Sequence, residues 1–348
     1  MKFNRTTTQP GGFVIVVVLC TIIMLAVLLF GFNHKSRAEL FAADGLRKSA
    51  QALNCAGAGL NVAIAVLKGP SDIRTNGKLM NLLSGQQAIT LGEGTCSITV
   101  TEENGKLNVN LLRTKTGKLD RTRIDQLLRL IDLLNRRDFG DSRIGYGLVP
   151  SIIDWTDTDE ETTCLPFVKH QNLGAESDYY SDLVPPYRSR NGPLDTTEEL
   201  LLIKGITPQI LERIRDYLTV KGDGKININC ASKLVIESLS EKMDPALAQI
   251  IIDRREIRPF AAITELRDVP GMTDGIYQAI RKTATVRPTD QYYQVTAQGN
   301  ADSRSCTIVA LIRRNTATKN VDVILYKEFE GHSFGTLRSL YYADSETR

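Results

Sequence analysis

The sequence predicts an α+β fold in which one long N-terminal helix packs on an antiparallel sheet that a large α-helical insertion interrupts. Three observations support this prediction: an uncharged apolar run near the start, a helical repeat of apolar residues that continues it, and strand-like alternation on both sides of a central helical block. The strands on either side are too few to form two stable sheets. We therefore expect them to merge into one sheet that covers the helix.

The apolar run extends from Phe13 to Phe32 and contains no charged residue. As a helix rising ~1.5 Å per residue, it is long enough to cross a hydrocarbon core of ~30 Å. The leader, residues 1–12, carries Lys2 and Arg5, which the positive-inside bias keeps in the cytoplasm. The run is longer than the core of a secretory signal peptide and no small-residue cleavage triplet follows it. It therefore predicts a single membrane span with the rest of the chain exported. The order of basic leader, Gly12, Phe13 and apolar helix resembles the signal of type IV pilins and pseudopilins, which a membrane peptidase cuts after the glycine, and a plain single-span anchor is the alternative.

The helical pattern does not stop at the membrane, because residues 34–68 contain no proline and apolar residues recur every three to four positions. This stripe comprises Leu40, Ala43, Leu46, Ala50, Leu53, Gly57, Leu60, Ile64 and Leu67. Gly69-Pro70 ends the pattern. We predict one continuous helix of roughly 55 residues whose outer half needs a covering partner.

The remaining elements follow from local composition. Residues 71–94 are rich in Gly, Ser and Asn and predict a loop, whereas alternation over 97–102 and 106–112 around the turn at 103–106 predicts a hairpin. A helix is predicted at 119–136, and helix and loop continue to about residue 286. Strands follow at 292–297, 305–312 and 321–329, and a loose tail closes the chain.

A repeat lies inside the helical block. Residues 199–207 match 265–273, and each copy predicts a helix, a tight turn at Gly205 or Gly271, and a second helix; a shorter echo joins 105–110 and 224–229. The long units resemble helix-hairpin-helix repeats, which often bind DNA phosphates through free backbone N–H groups. Pro208 removes such a donor and Asp274 adds a negative charge. We therefore expect a structural role and no nucleic-acid binding.

Acidic residues are densest at 154–161, and a second acidic cluster follows near residue 178. Carboxylates that alternate before a loop suit a hard cation with six to eight oxygen ligands, for which calcium is the physical solution. The stretch lacks the glycine and glutamate of an EF-hand loop. A solvated acidic loop is the alternative. The predicted ligands are Asp157, Asp159, Glu176 and Asp178, with Asp154 as a further candidate.

Neither catalysis nor a charged partner is indicated. Residues 331–335 match the G-x-S-x-G nucleophile pattern, but no histidine follows the serine to complete a triad. The formal net charge of +3, from 43 basic and 40 acidic residues, requires no nucleic acid or anionic surface. The chain has six cysteines, and none of them form a C-x-x-C pair that would suggest zinc or redox chemistry. We predict a protein that is not an enzyme.

Taken in order, these motifs resemble the minor pseudopilin K family of the type II (general) secretion pathway over nearly the whole chain. The resemblance is carried by Gly12-Phe13, by the stretches at 105–110, 154–159 and 176–180, by Pro186-Tyr187, and by 191–195 and 225–232. It implies a pilin-like fold with a helical insertion, calcium in the acidic loops, and a place at the pseudopilus tip with the I-type and J-type minor pseudopilins.

The resemblance also implies processing of the leader. A prepilin peptidase would cut after Gly12 and leave Phe13 as the new amino terminus, with methylation. Pilins of this class usually carry glutamate at the fifth mature position, which is Val17 here, and the K family likewise lacks it. An uncompensated carboxylate in lipid is costly, so a terminal subunit without a neighbour is expected to carry an apolar residue there.

We therefore predict a non-enzymatic minor pseudopilin that is anchored in the bacterial inner membrane with its globular part in the periplasm. It would initiate and cap a short periplasmic fibre and so support protein export across the outer membrane. The predicted segments are a leader (1–12), a membrane helix (13–32), the pilin helix with first strands (33–113), the insertion (114–288), the last strands (289–330) and a tail (331–348). A minor pilin of a type IV pilus, or a DNA-uptake protein, is the alternative. A disulfide between Cys55 and Cys96 is a further hypothesis.

Overall fold

The computed structural model describes residues 11–69, 81, 83–114, 116–136 and 143–331, so most of the predicted leader and tail lies outside the described residues. The helices are α1 (Gly11–Lys68), α2 (Arg121–Arg136), α3 (Leu148–Thr156), α4 (Ser177–Ser181), α5 (Pro208–Ile214), α6 (Lys233–Ser238), α7 (Pro245–Ile257) and α8 (Asp274–Ile280). The strands are β1 (Ser84–Leu91), β2 (Gly94–Glu102), β3 (Leu107–Asn108), β4 (Leu218–Thr219), β5 (Ile226–Asn227), β6 (Ala284–Thr285), β7 (Asp290–Ala301), β8 (Arg304–Asn315) and β9 (Val321–Glu330).

Helix α1 is one continuous helix of 58 residues, as predicted, and is on the order of 85 Å long. Its most apolar 18-residue window is uncharged enough to cross a membrane, and none of that window is buried inside the protein. The C-terminal part of the helix, in which the buried positions begin at Ala52, packs on the sheet, mainly on β7 and β8. The helix thus has an exposed apolar part and a part that the sheet covers.

The face of α1 that the sheet covers shares the buried residues Leu60 and Leu67 with the predicted stripe and otherwise differs from it. The buried positions are Ala52, Cys55, Ala56, Gly59, Leu60, Ala63 and Leu67. Leu40 and Leu46 of the predicted stripe are 68% and 74% exposed. Small residues line the contact because the helix backbone lies very close to β7: a Cβ on Gly299 would stand only 2.1 Å from the carbonyl oxygen of Ala52. The predicted stripe followed the larger apolar side chains, whereas the closest contact with the sheet is made by the small residues beside them.

The main sheet is antiparallel with the order β1-β2-β7-β8-β9. Strand β2, before the insertion, pairs with β7, after it, from Thr95 opposite Asn300 to Glu102 opposite Tyr293. The prediction that strands from both sides merge into one sheet is therefore confirmed. Strand β1 lies within the stretch predicted as loop, so that prediction was wrong for residues 84–91.

The predicted hairpin at 97–112 is also wrong. After β2 the chain makes a 3-10 turn at Glu103–Gly105, and the two-residue strand β3 then pairs in parallel with β4 of the insertion. The core of the helical block includes Leu107, Val109 and Leu112, although their alternation predicted a place in the sheet. We call this block, whose buried core residues run from Leu107 to Val286, the helical body. A separate core joins α1 to the main sheet.

The sequence repeat corresponds to two similar units in the helical body. Strand β3 pairs in parallel with β4, and β5 pairs in parallel with β6. Each unit contains a six-residue 3-10 helix, at Thr197–Leu202 or Ile263–Asp268, then a glycine at positive φ and a seven-residue α-helix. The first helix is thus a 3-10 helix in each unit, and a helix-hairpin-helix assignment stays a prediction.

The last asparagine of each shorter repeat, Asn110 or Asn229, stabilises its own unit through the same set of hydrogen bonds. The side-chain amide of Asn110 donates to two backbone carbonyls and accepts one backbone N–H, and Asn229 makes the same set of bonds. The backbone partners are Leu194 and Val220 for the first, and Phe260 and Val286 for the second. The asparagines therefore explain why the echo alternates like a strand without extending the main sheet.

The helical body joins the sheet at the membrane-distal end of α1. Gly299 of β7 lies against Ala52, whereas Arg314, which is opposite Gln291 near the start of β7, donates to the carbonyl of Gly69 at 3.1 Å. The start of β7 is therefore next to the outer end of the helix. The chain enters the body after β2 and leaves it before β7, and Asn104 bonds to the backbone of β7 across this junction.

The hypothesis of a disulfide between Cys55 and Cys96 is not supported, because both residues are buried free thiols. Each thiol instead faces a glycine of the other element: a Cβ on Gly94 would stand 2.6 Å from the sulfur of Cys55, and one on Gly59 would stand 2.2 Å from the sulfur of Cys96. Burial, together with the neighbouring Cys55, raises the pKa of Cys96 to about 11. The two thiols therefore act as small core side chains.

Candidate metal centre

Three acidic residues of the predicted set come together in the helical body. Asp154 lies in the last turn of α3, Asp157 caps that helix with its N–H bonded to Ile153 O, and Glu176 directly precedes α4. One carboxylate oxygen from each lies within 4.8 Å of the other two. Ligands on opposite sides of a calcium ion, at 2.3–2.6 Å each, are about 5 Å apart, so this spacing fits a single ion.

The loop between Asp157 and Glu176 returns the chain to α3 through a short bridge between Cys164 and Leu173. Gly174 is required at the return. A Cβ there would stand 2.0 Å from Asp154 Oδ2 and 2.8 Å from the carbonyl oxygen of Pro150. The glycine therefore allows the backbone to pass directly beside the Asp154 carboxylate and to place Glu176 next to it.

The three carboxylates are buried but only partly satisfied. Asp154 is fully buried, Asp157 is 8% exposed and Glu176 is 5% exposed. Asp154 Oδ1 accepts the Thr163 N–H at 2.9 Å, and Asp157 Oδ2 is paired with the Arg113 guanidinium, but Asp154 Oδ2, Asp157 Oδ1 and Glu176 Oε1 have no hydrogen-bond partner among the described residues. Buried oxygens without partners are costly, and a bound cation would satisfy them.

The electrostatics of this cluster oppose ionisation. Burial first, and then repulsion from Asp154 and Asp157, raises the pKa of Glu176 to about 8. Burial raises the pKa of Asp157 to about 6 despite the favourable charge of Arg113, and burial also raises the pKa of Asp154. A site that holds several carboxylates in a buried place, with unpaired oxygens, suits a hard divalent cation.

Two of the predicted ligands are not part of the cluster. Asp159 has a side chain that is 46% exposed and accepts the N–H of Glu161, and Asp178 is exposed in the first turn of α4. Sequence reasoning missed Arg113, whose Nη2 lies 2.5 Å from Asp157 Oδ2. Arg113 is 44 positions before Asp157, and no spacing pattern connects a residue before α2 with one after α3.

The acidic cluster also contacts the aromatic core of the helical body. Trp155 packs edge-on against Tyr180 with ring centroids 5.0 Å apart, and Tyr180 stacks with Tyr187 at 5.3 Å. Lys204, in the first repeat unit, donates from Nζ to the carbonyl of Gly174 at 3.3 Å. A cation at the cluster would therefore stabilise α3, α4 and the first repeat unit together.

Two family models match the chain, both described as type II secretion system (T2SS), protein K. The first matches residues 105–223 and the second residues 226–287, which together make up just over half of the chain. The break between them coincides with the start of β5. Each model therefore covers one of the two repeat units.

Individual relatives carry the same description. The type II secretion system protein K of Pseudomonas aeruginosa is 25% identical over 225 residues, which are 64% of this chain and 61% of that protein. The protein K of Aeromonas hydrophila is 30% identical over 82 residues, 24% of this chain and 23% of that protein. The chain thus spans about three fifths of the length of the Pseudomonas relative.

A solved structure shares the fold. A chain in the crystal structure of the GspK-GspI-GspJ complex of the type 2 secretion system of enterotoxigenic Escherichia coli matches with a TM-score of 0.60 at 17% identity. The match covers 86% of this chain and all of that chain. The fold described above, with the helix on the sheet and the inserted body, is therefore also present in a solved structure.

Proposed function

The chain belongs to the type II secretion system protein K family, and we propose that it is a minor pseudopilin that caps the pseudopilus of such a system in the bacterial inner membrane. The observation that carries this proposal is the position of the helical body at the membrane-distal end of α1. A fibre of this type grows by packing the helices of successive subunits. A body at the outer end of the helix leaves no room for another subunit beyond it.

The outer part of α1 supports a partner surface. Leu40, Phe41 and Leu46 are 68%, 78% and 74% exposed, and they lie between the candidate membrane span and the part of the helix that the sheet covers. Exposed apolar side chains on one segment of a helix indicate protein contacts. We assign this segment to the helices of I-type and J-type minor pseudopilins, whose counterparts are present with GspK in the solved complex.

Processing and location follow from the same assignment. A prepilin peptidase would cut between Gly12 and Phe13, the new terminus would be methylated, and the globular part would lie in the periplasm. The mass of the amino-terminal peptide from the mature protein tests this: a methylated Phe13 terminus supports it, and a peptide that retains residues before Phe13 contradicts it.

We further propose that the cluster of Asp154, Asp157 and Glu176 binds calcium. The support is the set of buried carboxylate oxygens without partners and their spacing within 4.8 Å. When bound, the ion would supply positive charge that compensates the three carboxylates and would connect α3 to α4. The role is structural: it fixes the part of the helical body that contains the aromatic core.

Secretion is the test of the main proposal. Deletion of the gene in its own bacterium should stop the release of proteins that use the type II pathway and leave them in the periplasm. The full-length gene should restore release. Normal release from the deletion strain, with loss of type IV pili instead, would replace this assignment by a type IV minor pilin.

A second experiment tests the partner surface. Phe41→Asp should reduce co-purification with the I-type and J-type partners, because a charge would enter a helix contact. Ile257→Asp is the matched control, since Ile257 is 85% exposed at the end of α7 in the helical body and should not affect co-purification. Equal recovery of partners with both variants would contradict the proposed surface.

A further inference from the structure

Arg113 is a fixed positive charge within the acidic cluster. Its Nη2 lies 2.5 Å from Asp157 Oδ2 and 3.1 Å from Thr163 Oγ1, and its Nη1 lies 3.5 Å from Asp159 Oδ2 and donates to Gly117 O at 3.2 Å. The side chain is 25% exposed, and that of Asp157 is 5% exposed. Several contacts therefore hold the guanidinium against a carboxylate that a cation would also need.

The charge of Arg113 cannot be removed by proton loss, because a guanidinium stays protonated in proteins. An ion bound by Asp157 would lie within a few ångströms of this group, where two positive charges repel strongly in a partly buried place. Without an ion, the guanidinium instead compensates Asp157 and offsets repulsion among the acidic residues. The same side chain thus favours the ion-free state and opposes the ion-bound state.

We propose that Arg113 is an internal counter-cation that weakens divalent-cation binding at the Asp154, Asp157 and Glu176 site and stabilises the ion-free protein. The proposal rests on the calcium binding proposed above. It places the affinity of the site in the weak range of extracellular calcium sites, ~10⁻⁴–10⁻³ M, although three buried carboxylates alone would bind more tightly. Calcium then binds only where it is abundant, outside the cytoplasm.

If Arg113 had a different role, its removal would change the calcium affinity in the opposite direction. If Arg113 served to orient Asp157 toward the ion, its removal would leave the carboxylate badly placed and weaken binding. The geometry favours competition, because the Asp157 backbone is already fixed at the end of α3, where its N–H bonds to Ile153 O at 3.0 Å, and Arg113 occupies Oδ2, an oxygen that an ion would need. The sign of the change in affinity therefore distinguishes the two roles.

The experiment uses the full chain in detergent and the single tryptophan, Trp155, which lies between Asp154 and Asp157 in sequence. Terbium luminescence excited through Trp155 reports occupancy, and calcium competes the terbium away. Arg113→Gln should bind calcium about tenfold more tightly or better and should melt at a lower temperature without calcium. Arg113→Lys keeps the charge and should stay within about threefold of wild type.

Arg313→Gln is the matched control, because it removes an arginine that pairs with Asp322 at 2.7 Å on the main sheet, outside the helical body. It should leave the calcium affinity unchanged. Equal or weaker binding by Arg113→Gln would overturn the proposal. Should Arg113→Gln be unfolded without calcium, refolding on calcium addition supports the proposal, and failure to refold contradicts it. Absence of binding in both wild type and Arg113→Gln would overturn the cation site itself, whereas the pseudopilin assignment is tested by secretion.

Discussion

Replacing Gly299 with alanine tests the contact between α1 and the sheet. A Cβ at this position would stand 2.1 Å from the carbonyl oxygen of Ala52 and 2.5 Å from the nitrogen of Ala56, whereas ordinary contacts begin near 3.4 Å. The helix or the strand must therefore move by about 1 Å. Neither can move locally, because both alanines are fully buried and Gly299 is paired with Cys96 on one side and Cys306 on the other.

Overpacking of a tight core costs about 1–3 kcal/mol, and we expect the upper end here because backbone atoms are in the way. If the free energy of opening falls by about 3 kcal/mol, hydrogen exchange of the β2 and β7 backbone amides becomes about 100-fold faster, provided that exchange requires local opening. Hydrogen exchange of the full chain in detergent, read by mass spectrometry, measures this directly. Exchange within about threefold of wild type would refute the close packing.

Gly57→Ala on the same helix is the control for this measurement. Nothing lies within 4 Å of the position its Cβ would take. Alanine favours a helix over glycine by about 1 kcal/mol, so exchange in the sheet should be unchanged or slower. The pair of variants separates a steric effect from a general effect of adding a methyl group to this protein.

Calcium should raise the melting temperature of the full chain; Asp157→Ala should abolish that rise, and Asp178→Ala should retain it. Differential scanning calorimetry with calcium and with chelator measures the rise. Its loss in both variants would contradict a site formed by Asp154, Asp157 and Glu176. Without calcium, stability should fall as pH rises from about 4.5 to about 8, because the folded protein holds the proton of Glu176 to a higher pH than the unfolded chain does. Saturating calcium should remove that decline, and a melting temperature independent of pH without calcium would refute it. Cys55 and Cys96 should resist alkylation until the protein is unfolded, and a mass-spectrometric map that finds them bridged would contradict the free thiols.

The sequence was sufficient for elements whose pattern is long and regular. The 58-residue helix follows from an unbroken apolar run and a proline-free continuation, and β7, β8 and β9 follow from alternation. Strand β1 was missed because Gly85, Gln86 and Gln87 give it the composition of a loop, and its pairing with β2 decides its structure. Tertiary pairing overrode local propensity there.

Two errors have physical causes that a single sequence does not contain. The alternation at 106–112 reflects Asn108 and Asn110, which bond to the backbone of the helical body rather than to a neighbouring strand of the main sheet. Most of the buried face of α1 consists of small residues such as Ala52 and Ala56, because the strand backbone comes too close for a larger side chain at those positions. Both depend on distances between elements far apart in the chain.

The candidate metal centre was predictable in part. Clustering of acidic residues pointed to Asp154, Asp157 and Glu176, which the structure brings together. It also pointed to Asp178, but the first turn of α4 leaves that side chain exposed. Arg113 could not be found this way, since it reaches the cluster only through the packing of the whole helical body.

Co-purification of the full chain with the I-type and J-type minor pseudopilins of the same bacterium tests the assignment most directly. All three would be produced together in the inner membrane, extracted in detergent, and sized by chromatography with light scattering. We expect a single particle that contains one copy of each of the three proteins. Elution of this chain free of both partners, with a mass that accounts for it alone, would contradict the proposed place at the tip of the pseudopilus.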